Sequence, residues 1–259
     1  MPVVRLERHE AVGHIVLDRP PANSYDPAFM ADLDAAIEEA HRDDAIRAIV
    51  VRSALETFFS AGADVTFFAR SDLLDAEKML VVCANDTISK LEAIPKVVVA
   101  AIGGHCLGGG LEIALCCDFR IAAEGSYRLG LPEVTLGLLP GTGGTQRLPR
   151  LIGRQTALEM MLRGTTVVPS EARDLGIVDE LVAAAQLAAR AHERAASYTI
   201  GPSYAVGQIK LAAVQGFGRS LAEGLALERE ALLRLFRSED AREGVTAFVE
   251  KRRPTYRGR

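Results

Sequence analysis

The chain has 259 residues, 49% hydrophobic and 25% charged, a balance typical of soluble globular proteins and long enough to bury a sizeable core. The 30 basic and 34 acidic residues leave a net charge of −4, which gives no electrostatic reason to expect nucleic acid as a partner. No uninterrupted apolar run of about 18 residues offers a membrane span, and Met1-Pro2-Val3-Val4-Arg5-Leu6-Glu7-Arg8 carries charge too early for a signal peptide.

The first residues read as two strands, Val3 to Arg8 and His14 to Asp18, with a turn around Ala11-Val12-Gly13. Paired prolines in Arg19-Pro20-Pro21-Ala22-Asn23 interrupt regular structure, and Pro27 then suits the first turn of a helix running to about His41. Met30, Leu33, Ala36, Ile37 and Ala40 share one face of that helix. Ala45 to Val51 is a strand-length apolar run. A helix from about Ala84 to Ile94 stops at Pro95, Lys96 to Ile102 is a buried strand, and a glycine-rich turn leads into a helix from Leu111 to Cys117. Phe119 to Ala122 adds a short strand. Strands apolar on both faces and alternating with helices imply an α/β body whose sheets are covered by helices.

Beyond about Arg150 the pattern turns helical. Gln155–Leu162, Leu181–Ser197, Tyr204–Gly216, Leu221–Phe236 and Asp240–Glu250 all repeat at helical spacing, with no linker before them. The expected division is a body over 1–196 and a helical segment over 197–259 that packs on the body or on a neighbouring subunit. Cys83, Cys106, Cys116 and Cys117 lack zinc-ligand spacing, and the adjacent Cys116 and Cys117 read as small buried hydrophobes, so no metal is expected and a reducing, cytoplasmic setting fits.

Two turns raise a chemical question. In Phe58-Phe59-Ser60-Ala61-Gly62-Ala63-Asp64-Val65 small residues follow bulky ones at a strand end, and in Leu107-Gly108-Gly109-Gly110-Leu111-Glu112 three glycines open a helix. Glycine allows close backbone approach, and the first amides of a helix have no internal partner. One donor from each turn would make a two-amide hole for an oxygen gaining negative charge. Taken alone, the glycine run reads better as a tight turn, because a lone glycine-rich loop is a weak signal. It does not read as a phosphate loop, because no Lys-Ser or Lys-Thr pair follows and no GxGxxG opens a first βαβ unit.

Glu112 lies three residues beyond Gly109, so the two share a helix face. A first-turn glutamate is often just a partner for the helix dipole. The apolar neighbours in Leu111-Glu112-Ile113-Ala114-Leu115 favour a working carboxylate, since a buried charge is costly. Glu133 stands in the Gly- and Pro-punctuated loop Gly130-Leu131-Pro132-Glu133-Val134-Thr135-Leu136-Gly137, also among apolar residues. Two carboxylates beside one enolisable carbon can divide the roles of base and acid.

These segments resemble the crotonase superfamily, and within it the enoyl-CoA hydratases. Ser60-Ala61-Gly62-Ala63-Asp64 and Ala101-Ile102-Gly103-Gly104-His105-Cys106-Leu107-Gly108-Gly109-Gly110-Leu111-Glu112 match the family's two oxyanion turns. Leu131-Pro132-Glu133 through Gly141-Thr142-Gly143-Gly144-Thr145-Gln146-Arg147-Leu148 matches its second-glutamate loop, and the likeness runs nearly to Ala247-Phe248-Val249-Glu250-Lys251-Arg252.

The resemblance implies a spiral of ββα turns with helical C-terminal trimerisation, as a homotrimer or a dimer of trimers. It also implies syn addition of water to a trans-2-enoyl-CoA, giving a 3-hydroxyacyl-CoA. On that basis the amides of Ala63 and Gly109 hold the thioester oxygen, Glu112 activates water, and Glu133 exchanges the proton at Cα. Ala22, Ala61, Gly62, Asp64, Val65 and Gly108 become CoA or substrate contacts. Phe248 and Lys251 would reach a neighbour's CoA, with a solvated helix charge as the competing reading of Lys251. Phe67 and Phe68 either line the acyl pocket or pack in the core. No cofactor is implied, because the CoA thioester is the substrate.

The chain departs from the family in Pro20-Pro21-Ala22-Asn23-Ser24-Tyr25-Asp26, where many hydratases carry an Asn-Ala-Leu type sequence, and in Glu124-Gly125-Ser126-Tyr127-Arg128, one residue longer than is typical. Rival readings are an enoyl-CoA isomerase, another crotonase-type lyase or hydrolase, and a non-catalytic acyl-CoA- or RNA-binding relative. Retention of both Glu112 and Glu133 favours the hydratase over an isomerase or a pure binder, and the short Lys251-Arg252-Arg253 cluster is too small to suggest RNA.

Overall fold

The structure is a computed structural model that describes residues 2–258. Residues 1 and 259, the outer bounds of the expected division, lie outside the described residues.

Two sheets organise the body. The larger has six strands in the order β1 (Val4–His9), β2 (Val12–Leu17), β3 (Ala48–Ser53), β5 (Val97–Ile102), β7 (Phe119–Ala123) and β10 (Glu180–Val182). The β1–β2 pair is an antiparallel hairpin, and every later pairing is parallel. The smaller sheet runs β4 (Phe58–Ser60), β6 (His105–Leu107), β8 (Leu129–Gly130) and β9 (Thr166–Val167). Chain order alternates between the sheets, β3 to β4, β5 to β6 and β7 to β8, with helices between the pairs, so each unit is a ββα turn of a spiral.

β5 explains why its sequence is apolar throughout. Val98, Ala100 and Ile102 face the main core, to which Leu33 and Ile37 of α1 (Pro27–Arg42) also belong, whereas Val97, Val99 and Ala101 face a second cluster. That second cluster is closed by Ala191 and Ala195 of α9 (Leu187–Ser197), whose small side chains let the helix lie close on the strands. A strand buried on both faces has no position for a polar residue.

The short turn of the first hairpin falls at Glu10-Ala11, not Ala11–Gly13. Glu10 takes the positive φ, leaving Val12 and Gly13 free to pair in β2. The helix expected from Leu181 begins at Leu187, because Leu181 and Val182 pair with Ala122 and Ala123 at the sheet edge. The C-terminal part is thus not wholly helical: β9 and β10 interrupt it, each too short to show a period-2 signal.

Four further helices fill the body's first half and its glutamate loop: α2 (Val65–Arg70), α3 (Leu73–Glu77), α4 (Asn85–Ala93) and α5 (Gly109–Leu115). A π-helical stretch, Lys78–Ala84, precedes α4. They are followed by α6 (Gly144–Ile152), α7 (Arg154–Arg163) and α8 (Pro169–Asp174).

The last three helices, α10 (Ser203–Gly216), α11 (Leu221–Phe236) and α12 (Glu239–Val249), form the tail. Lys210 anchors α10 to the body: its buried ammonium pairs with Asp118 at 2.9 Å and donates to the carbonyls of Leu91 and Lys96. Together these partners satisfy a charge that would otherwise be costly to bury.

Candidate active site

Three short parallel strands of the small sheet end at a common edge, and each delivers one part of the site. β4 runs into the turn Ala61–Asp64, β6 into Gly108 and the start of α5, and β8 into Leu131-Pro132 and a 3-10 turn, Glu133–Leu136. Register fixes them side by side, with Ser60 opposite Cys106 and Leu107 opposite Gly130. Carboxyl ends of parallel strands are where α/β proteins place ligands.

The first two turns press against each other. Gly62 has φ +86°, and a Cβ on it would stand 2.7 Å from the Gly109 amide nitrogen. Several neighbouring amides are engaged: Gly62 N–H donates to Ser60 Oγ, Asp64 N–H to the Tyr25 carbonyl, Gly108 N–H to the Gly130 carbonyl and Leu111 N–H to the Gly108 carbonyl. Among the described residues, no hydrogen bond uses the amide of Ala63 or of Gly109. Two unengaged donors on abutting turns are what an oxyanion hole requires.

Glu112 is only 2% exposed. Its Oε1 accepts from the amides of Thr142 at 2.8 Å and Gly144 at 2.7 Å, and its Oε2 accepts from the Thr142 hydroxyl. Gly144 opens α6, so the carboxylate sits where that helix has unpaired donors. Burial pushes the Glu112 carboxyl above its usual range, while the Thr142 and Gly144 donors and the Arg147 charge oppose the shift. The loop that feeds Glu112 is itself held. Arg147 of α6 donates to the Thr142 carbonyl at 3.1 Å and pairs through Nε and Nη2 with Glu92 of α4.

Glu133 is in a different condition. Its Oε1 lies beside Gly108, where a Cβ would come within 2.9 Å, and its Oε2 is buried with no hydrogen-bond partner among the described residues. Burial, with the Glu112 charge adding to it, pushes the Glu133 carboxyl up to about 7. The structure therefore brings Ala63, Gly109, Glu112 and Glu133 to one place, with one carboxylate caged by donors and the other keeping a buried oxygen that has no partner among the described residues.

The other expected contacts fall in two groups. Ala22, Ala61, Gly62, Asp64, Val65 and Gly108 belong to or adjoin the two turns, Ala61 N–H donating to the Ala22 carbonyl. Val65 is exposed, and the Asp64 carboxylate is committed to capping α2, accepting from Thr66 N at 3.0 Å. Phe67 and Phe68 of α2 are half-buried and pack against the main core, edge to face with each other. Phe248 and Lys251, at the end of α12, are exposed, and among the described residues no hydrogen bond or ion pair joins them to the site turns. Arg128 is exposed, and Tyr127 donates to main-chain carbonyls from a half-buried position.

A model of the enoyl-CoA hydratase/isomerase family matches residues 7–259. The chain belongs to the enoyl-CoA hydratase/isomerase family. YngF of Bacillus subtilis (strain 168), which carries an enoyl-CoA hydratase/isomerase name, is 41% identical over 97% of this chain and 96% of its own length. The short-chain-enoyl-CoA hydratase of Clostridium acetobutylicum is 35% identical over 96% and 95%. A crystal structure of an enoyl-CoA hydratase from Geobacillus kaustophilus HTA426 superposes with a TM-score of 0.95 at 39% identity, covering 100% of this chain and 98% of that one. The crotonase fold, an α/β body with C-terminal helices, is therefore established, and with it enzymatic chemistry of the hydratase/isomerase type on acyl-CoA.

Thr142, Gly144 and Arg147 were not singled out by the sequence as site residues. For Thr142 and Gly144 a signal existed: a glycine pair opening a helix supplies free amides that need an acceptor, and Glu112 was an unpaired candidate. Arg147 reaches Glu92 and the Thr142 carbonyl from another helix, and nothing in its local pattern announces it.

Proposed function

We propose that the protein is an enoyl-CoA hydratase, adding water syn to a trans-2-enoyl-CoA to give a 3-hydroxyacyl-CoA. The observation that carries this is the unlike state of two neighbouring carboxyls. Glu112, held by donors that favour its anion, takes a proton from water as the oxygen attacks C3. Charge moves to the thioester oxygen, where the Ala63 and Gly109 amides receive it, and Glu133, with a carboxyl near neutrality, delivers a proton to C2. One base and one acid on the same side account for syn addition without a cofactor. An isomerase needs only one group to carry a proton between carbons.

Ala22, Ala61, Gly62, Asp64, Val65 and Gly108 are read as contacts for CoA or the thioester. Phe248 and Lys251 are read as contacts for a neighbour's CoA within a trimer or dimer of trimers. Leu221, Phe236, Val245, Phe248 and Val249 are largely exposed on the tail, an apolar surface that a second copy would bury.

The test is direct. Crotonyl-CoA mixed with the protein should lose its conjugated-thioester absorbance, with 3-hydroxybutyryl-CoA as product. A protein that leaves crotonyl-CoA and longer 2-enoyl-CoAs untouched but shifts the double bond of a 3-enoyl-CoA would overturn the hydratase reading.

A further inference from the structure

Thr142 meets the Glu112 carboxylate twice. Its amide donates to Oε1 at 2.8 Å and its hydroxyl donates to Oε2, so one loop residue grips both oxygens of a carboxylate 30 residues away. The two oxygens are not left alike. A carboxylate oxygen has about two acceptor sites. Oε1 uses both, because Gly144 N–H also donates to it at 2.7 Å, and a Cβ on Gly144 would come within 3.0 Å of the same oxygen. Among the described residues the Thr142 hydroxyl is the one donor to Oε2. The remaining acceptor site on Oε2 is therefore where Glu112 can take a proton while its other bonds persist.

Thr142 itself has little freedom. It is 1% exposed, so bulk water does not compete for its hydroxyl. Its β-branched side chain is stiff at χ1. Two helices pin its loop: Arg147 of α6 donates to the Thr142 carbonyl at 3.1 Å, and Asn85 of α4 donates to the Gly141 carbonyl at 3.4 Å. Gly143, at φ +111°, then turns the chain into α6 and brings the Gly144 amide to the oxygen that the Thr142 amide already holds. A hydroxyl that donates to an anion favours the anion over the neutral acid. Burial pushes the Glu112 carboxyl up, and the Thr142 hydroxyl is foremost among the groups that oppose it, ahead of the two amides and the Arg147 charge.

We propose that Thr142 is a positioning residue of this site: its hydroxyl fixes Oε2 of Glu112 so that the free acceptor site on that oxygen serves as the base. As an O–H bond of the water breaks, the proton passes to that site and the water oxygen keeps the electron pair with which it bonds C3. The Thr142 hydroxyl touches none of the reacting atoms and acts through Glu112. The other ionisable groups bearing on Glu112 are Arg147 of α6, Glu133 of the 3-10 turn, Tyr25 of the loop before α1 and Cys116 at the end of α5. All four are kept in the variants that test the role.

The part given to Glu112 rests on the hydratase reading, and the experiment separates the two. Protein labelled with carbon-13 at glutamate Cδ is titrated by NMR, with the Glu112 signal assigned by its loss in Glu112→Gln. Thr142→Val keeps the shape of the side chain and removes only the hydroxyl. Its Glu112 midpoint should move up by about one pH unit, the size expected when a donor to the charged form is lost. Thr142→Ala should move it the same way, and carries the comparison if the Val variant does not fold. Thr142→Ser, which restores the hydroxyl, should bring the midpoint back. With crotonyl-CoA, Thr142→Val should lower kcat about tenfold with KM within about twofold, and the Ser variant should recover most of the loss. A residue that only packs would change Tm and leave the midpoint in place. A Glu112 titration in the hydroxyl-free variants that superimposes on the parent's overturns the proposal. A parent that hydrates no 2-enoyl-CoA overturns the hydratase reading instead, while the titration still decides the role of Thr142.

Discussion

The α-carbon of Gly62 faces the amide nitrogen of Gly109 so closely that a Cβ on residue 62 would stand 2.7 Å from it. The contact is between backbone atoms, which cannot swing aside as a side chain can. The φ of +86° at Gly62 further excludes an ordinary L-residue. Gly62→Ala should therefore part the two turns. Destabilisation of about 1–3 kcal/mol is expected from backbone strain alone. Loss of aligned amides should lower kcat by about 10²-fold or more, since one oxyanion donor is worth that much. Thermal melting and crotonyl-CoA turnover read the two effects separately. Parent-like turnover would show that the amides of Ala63 and Gly109 do not act together.

Glu112→Gln and Glu133→Gln should each reduce kcat by about 10²–10⁴-fold, the usual range for a lost general acid or base. Both variants should keep the fold. At 112 the amide oxygen of Gln still accepts from Thr142 and Gly144, and the Thr142 hydroxyl can turn to accept from the amide nitrogen. Binding of a saturated acyl-CoA, measured by calorimetry, should change little because neither carboxyl is read as a CoA contact. A variant with full turnover would remove that residue from the chemistry.

How much of this was legible in advance follows from the range of each interaction. β5 announced itself because six buried residues in a row have one reading. Glu112 stood out as a charge in an apolar helix, and the glycine turns as places where backbone must approach backbone. The contact of Gly62 with Gly109 joins residues 47 apart, and that of Glu112 with Thr142 residues 30 apart. Periodicity carries nothing over such distances; the family likeness supplied the association, and the register of β4, β6 and β8 supplies the cause. The early start of the helix expected at Leu181 failed for a related reason. Leu181 and Val182 fit a helical pattern as well as a strand, and only the free edge of β7 decides between them.

The pH dependence of stability should carry the signature of Glu133. Its carboxyl sits at about 7 in the folded protein against 4.5 as the reference value. A raised folded value means that the folded state binds more protons, so the stabilising contribution is fully present below about 4.5 and is lost as pH rises to about 7. Glu133→Gln removes that loss. The difference in Tm, variant minus parent, should therefore grow between about pH 4.5 and 7 and level off above. A difference independent of pH would mean that the carboxyl titrates normally. The same group should make kcat/KM for hydration fall as pH rises past about 7, because the acid form is the proton donor.

Arg147 supports the site through the Thr142 loop. Its guanidinium bridges the Thr142 carbonyl and the Glu92 carboxylate, so it ties α4, α6 and the Thr142 loop together. Arg147→Met keeps the length of the side chain but leaves the Thr142 carbonyl without a donor and Glu92 without its cation. Loss of such a charge-assisted bond should cost about 1–3 kcal/mol of stability. Its greater effect should fall on Glu112, which loses both a nearby positive charge and the fixed placement of two donors. kcat should drop about 10–100-fold with KM nearly unchanged, and the acid limb of the kcat profile should move to higher pH as the Glu112 anion is less favoured. Arg147→Lys should recover little, because a single ammonium cannot span both partners in the plane that the guanidinium occupies. An acid limb at the parent's position in Arg147→Met would mean that the loop holds its shape without Arg147, with α6 alone setting the Glu112 donors.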